Sequence, residues 1–171
     1  MSQVTQEKLK AQKGIAGRLK VMTLLLGVGL LAAGVFLTYR AFMFRELDDP
    51  SWFLIFFTWA VGVCCFYVLY CFWGVCTQIG ADNSFSIENE MAFRRMGYCG
   101  LAIAAIMGAR LIATALLITS GSLDGHIAHQ VRLLYDAAEL CLGGVFYVIC
   151  AALSKLIHNA YELKEDNELT I

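Results

Sequence analysis

Charged residues are scarce in this chain of 171 residues: Asp, Glu, Lys and Arg together make up 16% of it, against about 25% in soluble domains. With 59% hydrophobic residues and a mean hydropathy of +0.65, this scarcity excludes a soluble globular protein. The presence of a single proline excludes collagen-like and low-complexity chains. Lys and Arg (13) do not outnumber Asp and Glu (14), so we expect no direct binding of nucleic acid. The remaining class is a small multi-pass membrane protein.

Four long apolar runs divide the chain. A membrane span needs about 20 mostly apolar residues, and residues 21–39 and 50–81 carry no charged side chain. Two further runs contain charges, Arg110 in the third and Asp136 and Glu139 in the fourth. The sequence therefore predicts an all-α integral membrane protein, a four-transmembrane-helix bundle that forms one membrane domain over residues 1–171. The predicted spans are approximately 20–43, 51–78, 96–119 and 132–157, with a loop at 80–95 and a tail at 158–171.

Lys and Arg are distributed unevenly over the two sides of the predicted spans. Nine lie in the N-terminal segment, the loop at 80–95 and the tail or at the span ends beside them, whereas the other side holds only Arg40, Arg45 and Arg132. By the positive-inside rule, this asymmetry predicts that the N- and C-termini are both inside, with two short outer loops. The basic N-terminus also fits a signal peptide, but the apolar stretch is long and has no small-x-small cleavage pattern before Arg40. A retained first span is therefore expected.

The cysteines and histidines form no recognisable chemical site in the sequence. All seven cysteines fall in predicted spans without a C-x-x-C pair, which argues against a thiol oxidoreductase and favours a packing role. No histidine lies inside a span to ligate haem. His126 and His129 are a weak metal pair, and His158 follows the last span. We expect no catalytic residue, metal site or cofactor, and the chain is not predicted to be an enzyme.

Ionisable side chains inside spans are costly and require a partner or a function. Arg110 and Glu139 both lie roughly 12–15 Å from the outer surface, on consecutive spans, so we expect them to pair. Asp136 and Arg132 extend this intramembrane charge network toward the outer surface. Two interpretations stay open. The network either locks the last two spans together or lines a polar cavity that binds a ligand, a peptide or a proton.

Small residues recur at every fourth position of the third span, where Gly100, Ala104 and Gly108 share a face. This spacing lets helices approach closely in lipid. Gly143 and Gly144 offer a further contact on the fourth span. The pattern predicts a packed bundle and indicates nothing about activity.

The inner loop and the tail have the most distinctive sequences. In the loop, GADNSFSIENEMAFRRMG, Ser86 is the predicted N-cap of a helix that runs into the third span and places Arg94 and Arg95 at the lipid headgroups. Helix four is expected to continue past Lys155, which places Leu156, Ala160 and Leu163 on one side. In the tail, an acidic cluster then precedes an apolar end, which is unusual for a solvated terminus. We expect the tail to dock onto the inner loop or onto a cytoplasmic partner. The predicted docking residues are Arg94, Arg95, Glu165, Asp166, Glu168, Leu169 and Ile171.

These two segments carry a family resemblance. A loop reading NSFSIEN before an arginine-containing helix start, together with a terminus reading ELKEDNELTI, resembles the bacterial membrane family catalogued as domain of unknown function 2975. The resemblance extends over essentially the whole chain. It implies a four-span protein of the bacterial inner membrane, often encoded beside a small helix-turn-helix regulator of the Cro/repressor type.

Two functions follow as hypotheses. In the first, the protein is a membrane-linked regulator whose inner loop and tail hold or release a cytoplasmic partner, such as that helix-turn-helix protein. In the second, a polar pocket near Arg110 and Glu139 binds a small molecule or peptide for transport or immunity. The lipid bilayer surrounds the protein in both hypotheses, and a homo-oligomer stays open as a further assembly.

Overall fold

Four α-helices make up nearly all of the chain that the structure, a computed structural model, describes: residues 3–43, 51–81, 83–119 and 127–169. No strand occurs within these ranges. All four helices are long and apolar enough to cross a membrane. The predicted all-α class with four spans is therefore confirmed. The helices are α1 Gln3–Met43, α2 Ser51–Gly80, α3 Ile87–Thr119 and α4 Ile127–Leu169.

Two of the helices extend well beyond the predicted spans. α1 begins at Gln3 rather than near residue 20, and α4 continues to Leu169 through most of the predicted tail. Both added segments are rich in Lys, Glu, Leu and Ala, which favour helix, and contain no proline. α3 begins at Ile87, directly after the predicted N-cap, so most of the predicted inner loop is helical.

Consecutive helices pack side by side. Backbone contacts join α1 to α2, α2 to α3 and α3 to α4, whereas within the described ranges no Cα atom of α1 lies within 8 Å of one in α4. The bundle is therefore open between α1 and α4. Helices α1 and α2 run antiparallel, since Gly80 lies against Ala16 and Gly34 against Trp59. Helices α3 and α4 also run antiparallel, since Gly97 lies against Cys150 and Gly108 against Leu140. The start of α1, the α2–α3 loop and the end of α4 consequently share one end of the bundle, called the loop end below.

Among the described residues, helix α1 packs on α2 alone, and most of its large apolar side chains are exposed, among them Leu24, Leu25 and Phe36. Lys20 of α1 places its ammonium nitrogen 5.4 Å from the ring centroid of Trp73 in α2, near the loop end. Such a contact is a favourable cation–π interaction. The exposed apolar surface of α1 indicates that this helix faces lipid over most of its length.

Helices α3 and α4 approach each other closely at Gly100 and Gly143. A Cβ atom placed on Gly143 would lie 2.8 Å from the carbonyl oxygen of Gly100 and 3.1 Å from the backbone nitrogen of Ala104. The two backbones are therefore in direct contact. Gly108 also faces α4, against Leu140, so the small-residue face predicted on the third span is the face that packs on α4.

A buried core joins three of the helices toward the loop end. Cys71 and Val75 of α2, Met96 of α3 and Cys150 of α4 pack together and are at most 7% exposed. Cys76 is also fully buried, and all seven cysteines are free thiols. Cysteine acts here as a small apolar residue that fills the core.

Candidate functional site

A buried ion pair joins α3 to α4 inside the membrane. Arg110 Nη2 lies 3.0 Å from Asp136 Oδ1, and the two side chains are 13% and 2% exposed. The structure thus pairs Arg110 with Asp136, where the sequence led us to expect Glu139. The physical reason is helical phase: Asp136 precedes Gly143 by two turns and shares its α3-facing side. Glu139 points to another side of α4, is exposed, and has no ion-pair partner among the described side chains.

Glu139 instead lines a cavity of about 360 Å³. All four helices contribute residues to its lining, and it lies beside the opening between α1 and α4. Apart from Glu139 and Arg110, the walls are mainly apolar and aromatic, with Trp59 of α2 and Met107 of α3 among them. Trp59 Nε1 donates a hydrogen bond to Thr38 Oγ1 at 3.2 Å, which holds the α1 wall against α2. The cavity therefore presents one carboxylate and one guanidinium in a largely apolar enclosure.

A second, almost wholly apolar cavity of about 330 Å³ borders the first. Leu30 of α1 lines both cavities, and the second lies further toward the loop end, where Leu26 of α1 and Phe146 of α4 face each other across the open side of the bundle. Together the two cavities form a cleft with a charged half and an apolar half. This division suits an amphiphilic molecule rather than a fully polar one.

The α2–α3 loop, at the loop end of the bundle, is fixed by two side chains of the NSFSIEN segment. The backbone N–H of Asn89 donates to Ser86 Oγ at 3.3 Å, which confirms Ser86 as the N-cap of α3. The Asn89 side chain is 1% exposed. Its Nδ2 donates to the carbonyl oxygens of Asn83 at 3.3 Å and Ser84 at 2.9 Å. Asn89 therefore ties the loop back onto the first turn of α3.

The first turn of α3 is in turn tied to the far end of α4. His158 Nδ1 lies 3.0 Å from Glu90 Oε2, and His158 Nε2 lies 3.3 Å from Glu162 Oε1. Ser154 Oγ donates a hydrogen bond to the Glu90 carbonyl oxygen at 3.3 Å. The His158 side chain is 49% exposed, so this tie is at the surface of the loop end. It sets the direction in which α4 leaves the bundle.

Sequence reasoning did not predict this tie, because it placed His158 beyond the last span without a partner. The spacing of the small residues in α3 and α4 could have predicted the tie. If Gly100 and Gly143 lie opposite each other on antiparallel helices, Glu90 must lie opposite the stretch that contains Ser154 and His158. One close contact thus fixes which residues of the two helices lie opposite each other, including polar residues about ten or more positions away.

A cleft of about 330 Å³ lies beside this tie, between α3 and α4. The side chains nearest the loop end are charged or polar, including Arg94 and Lys155. Toward the membrane interior the lining changes to Gly97, Tyr98, Tyr147 and Ala151. Arg94 Nε donates a hydrogen bond to the Tyr98 hydroxyl at 3.4 Å. The cleft is therefore basic at its mouth and largely aromatic further in.

The other predicted site residues are only partly described by the structure. The exposed ones are Arg94, Arg95, Glu165 and Asp166. All of His126 and Ile171 lies outside the described residues, as do four side chains of α4, those of His129, Arg132, Glu168 and Leu169. Among the residues described, no group of three or more His, Cys, Asp and Glu side chains is placed to hold a metal ion.

Four helices that can each cross a membrane, with apolar side chains exposed over much of their surface, define a multi-pass membrane protein in contact with the lipid bilayer. Residues 35–171 match the family described as Protein of unknown function (DUF2975), and the chain belongs to that family. The resemblance carried by the loop and tail motifs is thereby confirmed. The chain is also similar to the Uncharacterized membrane protein YoaS of Bacillus subtilis (strain 168), with 22% identity over 158 residues, which cover 90% of this chain and 95% of the relative. No solved structure matches it.

Proposed function

We propose that this protein is a membrane-linked regulator of the bacterial inner membrane that holds a cytoplasmic partner at its loop end. The partner is a small helix-turn-helix regulator, as the family resemblance implies. The observation that carries the proposal is the course of α4, which continues without a break from its span to Leu169 and is anchored by His158 to Glu90. A free terminus ordinarily frays. An exposed helix with a fixed direction is a preorganised binding element, which lowers the entropic cost of association.

The orientation in this proposal rests on the basic residues of the loop end. Lys10, Lys13 and Arg18 of α1 are exposed there, together with Arg94 and Arg95 of α3. Segments rich in Lys and Arg stay on the cytoplasmic side of the membrane during insertion. The loop end therefore faces the cytoplasm, where a soluble regulator can reach it.

The charge of the α4 extension specifies the kind of partner surface. Glu162, Glu165 and Asp166 are exposed within little more than one helical turn, and Glu168 follows in sequence. A helix-turn-helix protein presents Lys and Arg to the phosphates of DNA. An acidic helix bound to that basic surface competes with DNA for it. Charge complementarity of this kind sets partner choice and association rate more than affinity.

A co-purification experiment tests the proposal with a matched control. The protein in mild detergent should retain a small helix-turn-helix regulator of the kind that the family resemblance implies, and labelled operator DNA should displace that regulator. The variant Glu162→Gln, Glu165→Gln, Asp166→Asn should lose it. The control variant Glu7→Gln, Glu88→Gln removes acids from the same end of the bundle but outside α4, and should retain it. Retention by the α4 variant, or no binding to the intact chain, contradicts the proposal.

A second candidate function, binding of a ligand for transport or immunity, is favoured by the position of Glu139. Arg110 is paired with Asp136, whereas Glu139 lines the cavity without an ion-pair partner among the described side chains. A carboxylate at this depth is costly when uncompensated. A lipophilic cation would compensate it, and Trp59 and Phe66 supply aromatic faces for its charge. The ligand class for this function is thus a lipophilic cation or a cationic peptide.

Tetraphenylphosphonium is a suitable probe for this second function. Glu139→Gln should weaken its binding to the detergent-solubilised protein by about tenfold or more, because the compensating carboxylate is lost. Glu162→Gln, a matched change on the same helix outside the cavity, should leave binding unchanged. Equal affinity of the two variants counts against a ligand site at Glu139. Glu139→Gln should also retain the cytoplasmic partner, which separates the two functions.

A further inference from the structure

We propose that the cleft between α3 and α4 at the loop end binds the phosphate headgroup of an anionic phospholipid. The site consists of Arg94 and Lys155 at the mouth and the aromatic residues Tyr98 and Tyr147 further in. This inference goes beyond the proposed function, because it concerns a lipid ligand of the bundle and requires no cytoplasmic partner.

The first step is the level of the cleft in the bilayer. No charged residue lies between Arg95 and Arg110 in α3, or between Glu139 and Lys155 in α4. Arg94, Arg95 and Lys155 are therefore the first basic residues beyond the apolar segments, at the boundary between acyl chains and headgroups. Tyrosine and basic side chains are typical of this boundary. The phosphates of the surrounding lipids are consequently at the same level as the mouth of the cleft.

The second step is the charge of the lining. Arg94 and Lys155 come from different helices and both border the cleft, as does His158. The one acid among the lining residues, Glu90, is engaged by His158 at 3.0 Å. Arg94 uses its Nε to hydrogen-bond the Tyr98 hydroxyl at 3.4 Å, and a guanidinium has four further N–H donors. Basic pockets between transmembrane helices are suited to anionic lipid headgroups.

The third step is the change in polarity along the cleft. Beyond the basic mouth, the lining consists of Gly97, Tyr98, Tyr147 and Ala151, which offer a groove for an acyl chain. A free inorganic phosphate has the same charge chemistry but leaves this deeper half unfilled. A phospholipid fills both halves, so the occupant is a lipid and not a soluble anion.

Native mass spectrometry of the delipidated, full-length protein with phosphatidylglycerol tests the proposal. The variant Arg94→Ala, Lys155→Ala removes both basic groups of the cleft. The control variant Arg95→Ala, Lys164→Ala removes the same two charges from the same two helices, at positions that do not line the cleft. A basic group that lines the cleft should contribute about fivefold to headgroup binding. The cleft variant should therefore bind phosphatidylglycerol about 25-fold more weakly, whereas the control, whose two residues do not line the cleft, should change by less than about twofold. Equal weakening of both variants overturns the site.

Two further measurements address the ligand and the fold. Phosphatidylcholine should bind more weakly than phosphatidylglycerol, and millimolar inorganic phosphate should fail to displace the lipid; displacement overturns the lipid assignment.

If the cleft variant does not fold, Ala151→Phe replaces it, because it fills the cleft without a change of charge. Its control is Ala152→Phe, an exposed neighbour outside the cleft. Loss of phosphatidylglycerol binding with Ala151→Phe alone supports the proposal, and equal binding by both overturns it.

Discussion

Replacing Gly143 by Ala should weaken the α3–α4 contact, whereas the same change at Gly144 should not. The new Cβ atom at Gly143 would lie 2.8 Å from the Gly100 carbonyl oxygen, a backbone atom that cannot rotate away, while a Cβ atom at Gly144 meets nothing within 4 Å. An extra methyl group forced into packed structure costs about 1–3 kcal/mol. Ala in place of Gly in a helix gains roughly 0.5–1 kcal/mol, and this gain is common to both variants. Their free energies of unfolding should therefore differ by about 1–3 kcal/mol.

The buried cysteines provide the assay for this prediction. Cys76 and Cys150 are at most 3% exposed. In a background in which the more exposed Cys64, Cys65, Cys99 and Cys141 are replaced by Ala, a thiol-reactive dye therefore reports the temperature at which the bundle opens in detergent. Gly143→Ala should melt below the unsubstituted protein, and Gly144→Ala at or above it. The two variants share residue type, helix and substitution, so general effects on insertion or micelle binding cancel. Coincident melting curves would refute the backbone contact between α3 and α4.

Three further predictions concern the ion pair, the topology and the loop. Arg110→Ala and Asp136→Ala should each lower the free energy of unfolding by about 3–5 kcal/mol, because each leaves one buried charge without its partner. The double variant should recover part of that loss, and strictly additive losses would exclude a direct interaction. In a cysteine-free background, a thiol-specific, membrane-impermeant reagent should label a cysteine at Asp48 in intact cells but not one at Asn83; labelling at Asn83 would reverse the orientation. Ser86→Ala should destabilise the protein by about 1 kcal/mol, as loss of an N-cap does, and an unchanged melting temperature would contradict the cap.

The number and class of the helices could be predicted from the sequence because bilayer thickness sets the length of an apolar run. The extension of α1 back to Gln3 could not be predicted in this way, whereas the continuation of α4 past Lys155 is predicted by the tail sequence and is confirmed. Hydropathy changes sign where a helix leaves the hydrocarbon, but the hydrogen-bonded backbone continues as long as no proline or other helix breaker intervenes. The helical course of the first residues of α1 and of Lys155 to Leu169 is therefore a matter of helix propensity and does not follow from the lengths of the apolar runs.

The partner of Arg110 shows a second limit of sequence reasoning. Depth along the helix axis places Asp136 and Glu139 about equally well opposite Arg110, since they differ by less than one turn. The choice between them depends on rotation about the axis, which the Gly100–Gly143 contact fixes. The rotation of a helix about its axis, unlike the depth of a residue along it, can be predicted only when one interhelical contact is known. The same contact also predicts the proximity of Glu90 and His158.

The contacts of α3 and α4 imply that these two helices act as one unit. They are joined at three levels, by His158 and Glu90 at the loop end, by Gly100 and Gly143 in the middle, and by the Arg110–Asp136 ion pair beyond it. Helix α1 packs on α2 alone and borders the open side of the cavity that Glu139 lines. One wall of this cavity is therefore formed by α3 and α4, which are joined along their length, and the opposite wall is formed by α1, which within the described ranges has no such contacts with α4. We therefore expect the cavity to widen by displacement of α1. Glu139 and the loop-end extension, in contrast, both lie on α4 and are held in place by its contacts with α3.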